Sequence, residues 1–182
     1  MPVIQADRLE TLAEQIFAAL GAPEEHARRV ATLLVRANLR GHDSHGVIRI
    51  PQYVTAVKEG AVNPRAKIQV VAETPTTARV DGDLGFGQVV ASRATEMAVE
   101  KAKTQGLSAV GCFRTNHIGR LADYAELAAT QGVIAALWVN APMALHVAPW
   151  GGAARRLGTN PHAVAIPGPD GVAMSLDMAT SV

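Results

Sequence analysis

The sequence predicts an α+β protein, with a helical N-terminal module over residues 1–65 and a mixed α+β module over residues 66–182. Two observations carry this reading. Apolar residues recur at the three-four spacing of a helix face through the first third of the chain. After Pro64 the period changes, and short β-branched runs bounded by turn residues alternate with helical stretches. A third observation limits the class. Gly85-Phe-Gly87 is the nearest approach to a dinucleotide-binding fingerprint, but it has no third glycine and no acidic residue about 20 residues on, so a Rossmann fold is not expected.

The elements follow in order. Asp7 with Glu10 is a candidate capping box, and Leu9, Leu12, Ala13, Ile16, Phe17 and Leu20 then form one helical stripe that Gly21 ends. Pro23 suits the first turn of a second helix, whose inner face is Ala27, Val30, Leu33, Leu34 and Ala37, up to Gly41. Pro51 opens a third helix with Tyr53, Val54 and Val57 inward, ending at Gly60. Strands are expected at 68–71 and 77–80, joined through residues 74–76. A helix over 88–105 closes at Gly106, a strand follows over 107–113, a helix over 120–130 and a buried strand over 133–139. The runs 162–166 and 172–176 are two further short strands.

Composition excludes several classes. With 48% hydrophobic and 18% charged residues in 182, the chain is a folded globule of one domain, or one domain with a small appendage, and not a disordered segment. Lys plus Arg number 17 against 16 acidic residues, a net charge of +1, so no basic excess marks a nucleic-acid partner. The one cysteine, Cys112, cannot form an internal disulfide, and the first residues lack the basic flank and apolar core of a signal peptide. The uncharged run from Leu127 to Ala154 is interrupted by Asn140, Pro142, His146 and Pro149, so a membrane span is not expected. These features point to the cytoplasm. The sequence ends in an apolar run, Ser175 to Val182, with no polar tail, which implies either truncation or a second chain completing the sheet.

The densest polar cluster is Gly41-His-Asp-Ser-His-Gly46 with Arg49 beyond it. His45 can exchange a proton near neutral pH, Ser44 can pass one on, and Arg49 offers a planar fork for a carboxylate. An ordinary helix-breaking loop, with Asp43 or Ser44 capping the next helix, accounts for the same residues. His42 and His45 as metal ligands is the weaker reading: zinc sites usually take further Cys or His ligands at recognisable spacing, and the other histidines are scattered. Asn116-His-Ile-Gly-Arg120 follows a strand and opens a helix, where backbone N–H groups and the helix dipole can meet an anion. There His117 can contact a cofactor or act as a second acid/base, and the alternative is a capping turn with Thr115 or Asn116 as N-cap.

Taken together, these segments resemble the malate/L-lactate dehydrogenase family that lacks a Rossmann fold. The likeness rests on 41–46 with Arg49 and Tyr53, on Phe86-Gly-Gln88, Asn116–Arg120, Ala148-Pro-Trp-Gly-Gly152, Gly158-Thr-Asn-Pro161 and Leu176-Asp-Met-Ala-Thr180, in the family's order. His-Asp-Ser-His and Asn-His-Ile-Gly-Arg look most like its hydroxycarboxylate dehydrogenase branch. The resemblance implies an oxidoreductase that moves a hydride between NAD or NADP and a 2-hydroxy/2-oxo acid such as malate or lactate. It implies Ser44 and His45 as a proton-relay pair, with His117 as the proton acceptor in some members. Arg49 and Ala122 are then substrate contacts. His117, Ile118, Gly119, Arg120 and Leu121 are cofactor contacts, as are Asp177, Met178 and Ala179. Ala141 stands where some members have a cofactor-contacting serine. The family is dimeric and its chains are considerably longer, so the resemblance also implies a cofactor-binding module incomplete at its C-terminus. A non-catalytic remnant or interaction module of the family is the other class left open.

Overall fold

The structure, a computed structural model, describes residues 3–141 and 145–181. Pro142, one of the residues expected to interrupt the long uncharged run, lies outside the described residues. The chain falls into two compact units, Met1–Arg120 and Leu121–Val182. The change from helices to strands near residue 65 lies within the first.

In the first unit, α1 (Ala6–Ala19) and α2 (Glu24–Leu39) pack together, followed by α3 (Ile50–Lys58). Ala13 and Phe17 of α1 meet Val30 and Leu34 of α2, with Tyr53 and Phe86 completing the cluster. Full burial of a side chain the size of Phe17 or Leu34 contributes about 1.5–3 kcal/mol, which is why the three-four stripe dictates the helix pairing. Leu12, expected on that stripe, is exposed. The capping box is corrected as well. Gln5 is the N-cap, without a side-chain bond, while Asp7 sits inside the helix, its carbonyl accepting the Thr11 hydroxyl at 2.8 Å.

The unit's sheet has the order β1 (Gln69–Glu73), β2 (Thr77–Gly85), β3 (Ala109–Thr115), with β1–β2 antiparallel and β2–β3 parallel. Between the parallel strands runs α4 (Gly87–Gln105), the crossover such a pair requires. Gly106 ends it at φ 82°, a left-handed position that suits glycine. Met97 of α4 packs on Ala78 and Val80 of β2.

In the second unit, α5 (Ala122–Ala129) covers a three-stranded antiparallel sheet, β4 (Ala135–Trp138), β5 (His162–Gly168) and β6 (Gly171–Met178). β5 and β6 form a hairpin through Pro169 and Asp170. The strand expected to be buried, β4, instead alternates half-buried and exposed residues, because helix covers only one face of its sheet. Among the described residues no helix is long and apolar enough to cross a membrane.

Candidate active site

The segment between α2 and α3 is made of two successive 3₁₀ turns, Asp43–His45 and Val47–Arg49. Asn38, near the end of α2, pins both. Its Oδ1 accepts the Val47 N–H at 2.9 Å and its Nδ2 donates to Asp43 Oδ1 at 2.5 Å. Gly46 lies buried against this amide, and a Cβ there would sit 2.1 Å from Asn38 Oδ1, so only glycine lets the two turns close. Neither Asp43 nor Ser44 caps α3; the side chains that could have capped it are turned to other partners.

The fixed backbone places Ser44 Oγ 2.9 Å from His45 Nδ1. Arg49 is held on the same loop, its Nε donating to the Ser44 carbonyl at 2.6 Å and its Nη1 to Gln52 Oε1 at 2.8 Å.

His117 arrives from the turn after β3. Thr115 is the last residue of β3, and Asn116 is not a helix N-cap, because α5 begins only at Ala122. The Asn116 amide instead donates to the carbonyls of Leu84 (2.7 Å), Gly85 (3.2 Å) and Ala61 (3.3 Å), which fixes the turn against the end of β2. His117 therefore does not stand at a helix N-terminus. Its ring stacks on His45 with 5.4 Å between centroids and 28° between planes. Its Nδ1 lies 2.6 Å from Tyr53 Oη, and Tyr53 Oη accepts the Gln88 amide at 2.7 Å.

The electrostatics follow from the geometry. Burial, with the His45 and Arg49 charges nearby, lowers the His117 pKa to about 4, so the ring is neutral at ordinary pH. Burial pushes the Tyr53 hydroxyl up to about 12, against the opposing effects of Gln88 and Arg49, so it stays a protonated donor. One loop and one turn thus assemble a hydroxyl–imidazole pair, a second and neutral imidazole, and a guanidinium. Such a set can carry a proton and hold an anion. Among the described residues no three His, Cys, Asp or Glu side chains converge as a metal-ligand set.

Gly85 and Gly87 do occupy a strand-to-helix turn, yet the chain itself fills the space their missing side chains leave. A Cβ on Gly87 would lie 2.2 Å from the Asn116 carbonyl oxygen and 2.4 Å from that of His117. A pyrophosphate cannot approach the start of α4 as it does in a Rossmann turn, because backbone already lies there. The turn at 117–119, by contrast, is half-buried, carries a neutral imidazole, and has Gly119 at φ 76°.

In the second unit, Leu121 and Ala122 are buried, and the Ala122 N–H donates to Asp177 Oδ2 at 2.8 Å. That carboxylate caps the start of α5, while Met178 and Ala179 beyond it are exposed. Ala141 donates its N–H to Asn160 Oδ1 at 3.1 Å, and Gly158 packs so closely on Ala141 that a Cβ would lie 2.5 Å from its carbonyl oxygen.

Residues 4–182 match the malate/L-lactate dehydrogenase family. The chain belongs to that family. It is 42% identical over 179 residues to the L-sulfolactate dehydrogenase of Methanocaldococcus jannaschii, covering 98% of this chain and 51% of the relative. The solved sulfolactate dehydrogenase structure from that organism superposes with a TM-score of 0.93, at 42% identity, over 98% of this chain and 51% of that one. The malate dehydrogenase of Pyrococcus horikoshii is 45% identical over 180 residues, 98% of this chain and 49% of the relative. Hydroxycarboxylate dehydrogenase B of Escherichia coli K12 is 38% identical over 176 residues, 97% and 49% respectively. The chain spans about half the length of the relatives it matches. Their solved folds share its mix of helices and strands.

In this member of the malate/L-lactate dehydrogenase family, the first unit brings Ser44, His45, Arg49 and His117 together. Asn38, Gln88 and the hydroxyl of Tyr53 had no assigned part. Tyr53 and Gln88 stood in the motifs that carry the family likeness, but their bonds join residues 35 and 64 positions apart, which no spacing rule displays.

Proposed function

We propose that the protein serves hydride transfer between a nicotinamide dinucleotide, NAD or NADP, and a 2-hydroxy/2-oxo carboxylic acid, with His45 as the acid/base and Arg49 as the carboxylate clamp. The observation that carries this is the Ser44–His45 hydrogen bond at 2.9 Å on the same loop that anchors Arg49, with the His117 ring stacked alongside. The relatives are named for sulfolactate, malate and hydroxycarboxylate, all acids with a hydroxyl beside a carboxylate, and this supports the substrate class.

In the oxidation direction the substrate hydroxyl must lose its proton as hydride leaves the adjoining carbon. In the proposed mechanism the 2.9 Å Ser44–His45 bond has Nδ1–H donating to Ser44 Oγ, so that Nε2 is the basic nitrogen that takes that proton. In reduction the protonated Nε2 returns it to the forming alkoxide. Arg49 orients the acid by its guanidinium, and this fixed orientation turns a chance encounter into an aligned one. When bound, the dinucleotide supplies the hydride acceptor or donor. His117, Ile118 and Gly119 are the residues that would hold its nicotinamide end. A homodimer belongs to the same reading, supported by the family likeness and by Val70, Val71 and Phe113, apolar side chains exposed on the first unit's sheet.

The test is NADH and NADPH oxidation by the full-length gene product against pyruvate, oxaloacetate and sulfopyruvate. Turnover with at least one of these acids is expected, and none with any of them under either cofactor refutes the reading.

A further inference from the structure

We propose that Tyr53 and Gln88 are positioning residues that fix the tautomer of His117, placing its hydrogen on Nε2 and leaving Nδ1 as the acceptor of the Tyr53 hydroxyl. Gln88 is fully buried at the start of α4, and its Nε2 donates to Tyr53 Oη at 2.7 Å. The tyrosine oxygen is thereby an acceptor, and its one proton has two places to go. His117 Nδ1 is 2.6 Å away and the His117 carbonyl oxygen 3.5 Å away. The nearer acceptor makes the stronger bond, so the hydroxyl points at Nδ1. A neutral imidazole that accepts at Nδ1 carries its hydrogen at Nε2.

The charged and titratable groups around the ring act in the same sense. His45 from the first 3₁₀ turn and Arg49 from the second both oppose a positive charge on His117, and Tyr53 from α3 keeps its proton. Gln88 from α4 adds no charge. The Gln88 Oε1 is buried with no hydrogen-bond partner among the described residues, so the amide is tied down through Nε2. Turning that amide over would make Tyr53 donate to it and force His117 Nδ1–H to donate to Tyr53. Amide orientation and imidazole tautomer are therefore one variable.

The consequence for catalysis rests on the proposed hydride-transfer reading. His117 then offers an Nε2–H donor to an oxygen of substrate or cofactor, and proton transfer falls to His45. Two stacked imidazoles acquire different tasks: Tyr53 fixes His117, and Ser44 pairs with His45.

The experiment is ¹⁵N NMR of the 182-residue chain labelled at histidine, from pH 5.5 to 8, with the His117 signals assigned by their loss in His117→Gln. The wild type should show the Nε2–H signature throughout, with no titration in that range. Tyr53→Phe keeps the ring packed between Phe17 and Phe86 but removes the donor. It should give mixed tautomers and raise the His117 pKa by about half to one unit, the worth of one hydrogen bond. Gln88→Glu, which cannot donate as a carboxylate, should switch His117 to the Nδ1–H form. A wild-type Nδ1–H signature, or a Tyr53→Phe spectrum like wild type, overturns the proposal. Neither result bears on the dehydrogenase assay, and a failed assay would leave these spectra unchanged.

Discussion

His45 and His117 face each other ring to ring at 5.4 Å, and Arg49 lies close enough to act on His117. At that separation two imidazolium charges repel, the more so where water is partly excluded, so a charge on His45 opposes one on His117. Burial and the Tyr53 contact make His117 a poor host for a proton, and in the proposed reading the acid/base role therefore goes to His45, which is hydrogen-bonded to Ser44.

Replacing His45 by alanine should therefore lower turnover by about 10²–10⁴-fold, the usual contribution of a positioned acid/base, while dinucleotide affinity changes little. Steady-state rates with a 2-oxo acid, alongside NADH fluorescence titration, separate the two quantities. Unchanged turnover would move the proton-transfer role to His117.

Arg49→Lys should act on a different parameter. The guanidinium is shaped by its bonds to the Ser44 carbonyl and Gln52, and lysine keeps the charge but loses the planar fork. A charge-assisted hydrogen bond contributes about 1.5–3 kcal/mol, so KM for the oxo acid should rise by roughly 10- to 100-fold. KM for the dinucleotide should stay within about twofold of wild type, since in the proposed reading Arg49 clamps the acid. An equal rise in both would show that Arg49 supports the loop and not the substrate.

The neutral state of His117 has a signature in stability. Its pKa is about 4 when folded against 6.5 when unfolded, so between those values the unfolded chain binds more protons. Stability is thus undiminished by this group above about pH 6.5, falls as the pH drops toward 4, and loses no more below it. The full difference corresponds to about 3 kcal/mol. Urea midpoints at pH 7, 5.5 and 4.5 should fall less steeply in His117→Gln than in wild type. Parallel curves for the two proteins would mean that His117 is protonated in the folded state as readily as in the unfolded one.

Much of this architecture was legible because it is local. The stripes of α1 and α2, the glycine that ends α4 and the change of period after Pro64 are set by neighbours within a few positions, and spacing displays them. The 41–49 loop stood out for its chemistry, since Ser, His and Arg gather there without an apolar period. What stayed hidden was long-range. Asn38 holds that loop by a side chain from the preceding helix, and Asn116 looks like a helix cap but clamps three carbonyls up to 55 residues away. Asp177 caps α5 across 55 residues, and the capping box at Asp7 failed because the helix starts two residues earlier, with Gln5 as its N-cap. Side chains that bond to distant backbone leave no periodic trace.

Gly87 links this hidden packing to the site. Its Cα touches the Asn116 and His117 carbonyls so closely that an added methyl would meet backbone oxygen at 2.2 and 2.4 Å, and backbone cannot swing aside as a side-chain tip would. Gly87→Ala should destabilise the fold by about 1–3 kcal/mol, the usual cost of overpacking. It should also move the His117 turn away from Tyr53, so the loss in turnover should exceed what the lost stability alone explains at a temperature where the variant remains folded. Urea unfolding gives the first quantity, and the His117 ring signals read the second directly. A variant as stable as wild type, with those signals unmoved, would mean that α4 and the turn can separate freely, and that their close approach does not hold the imidazole in place.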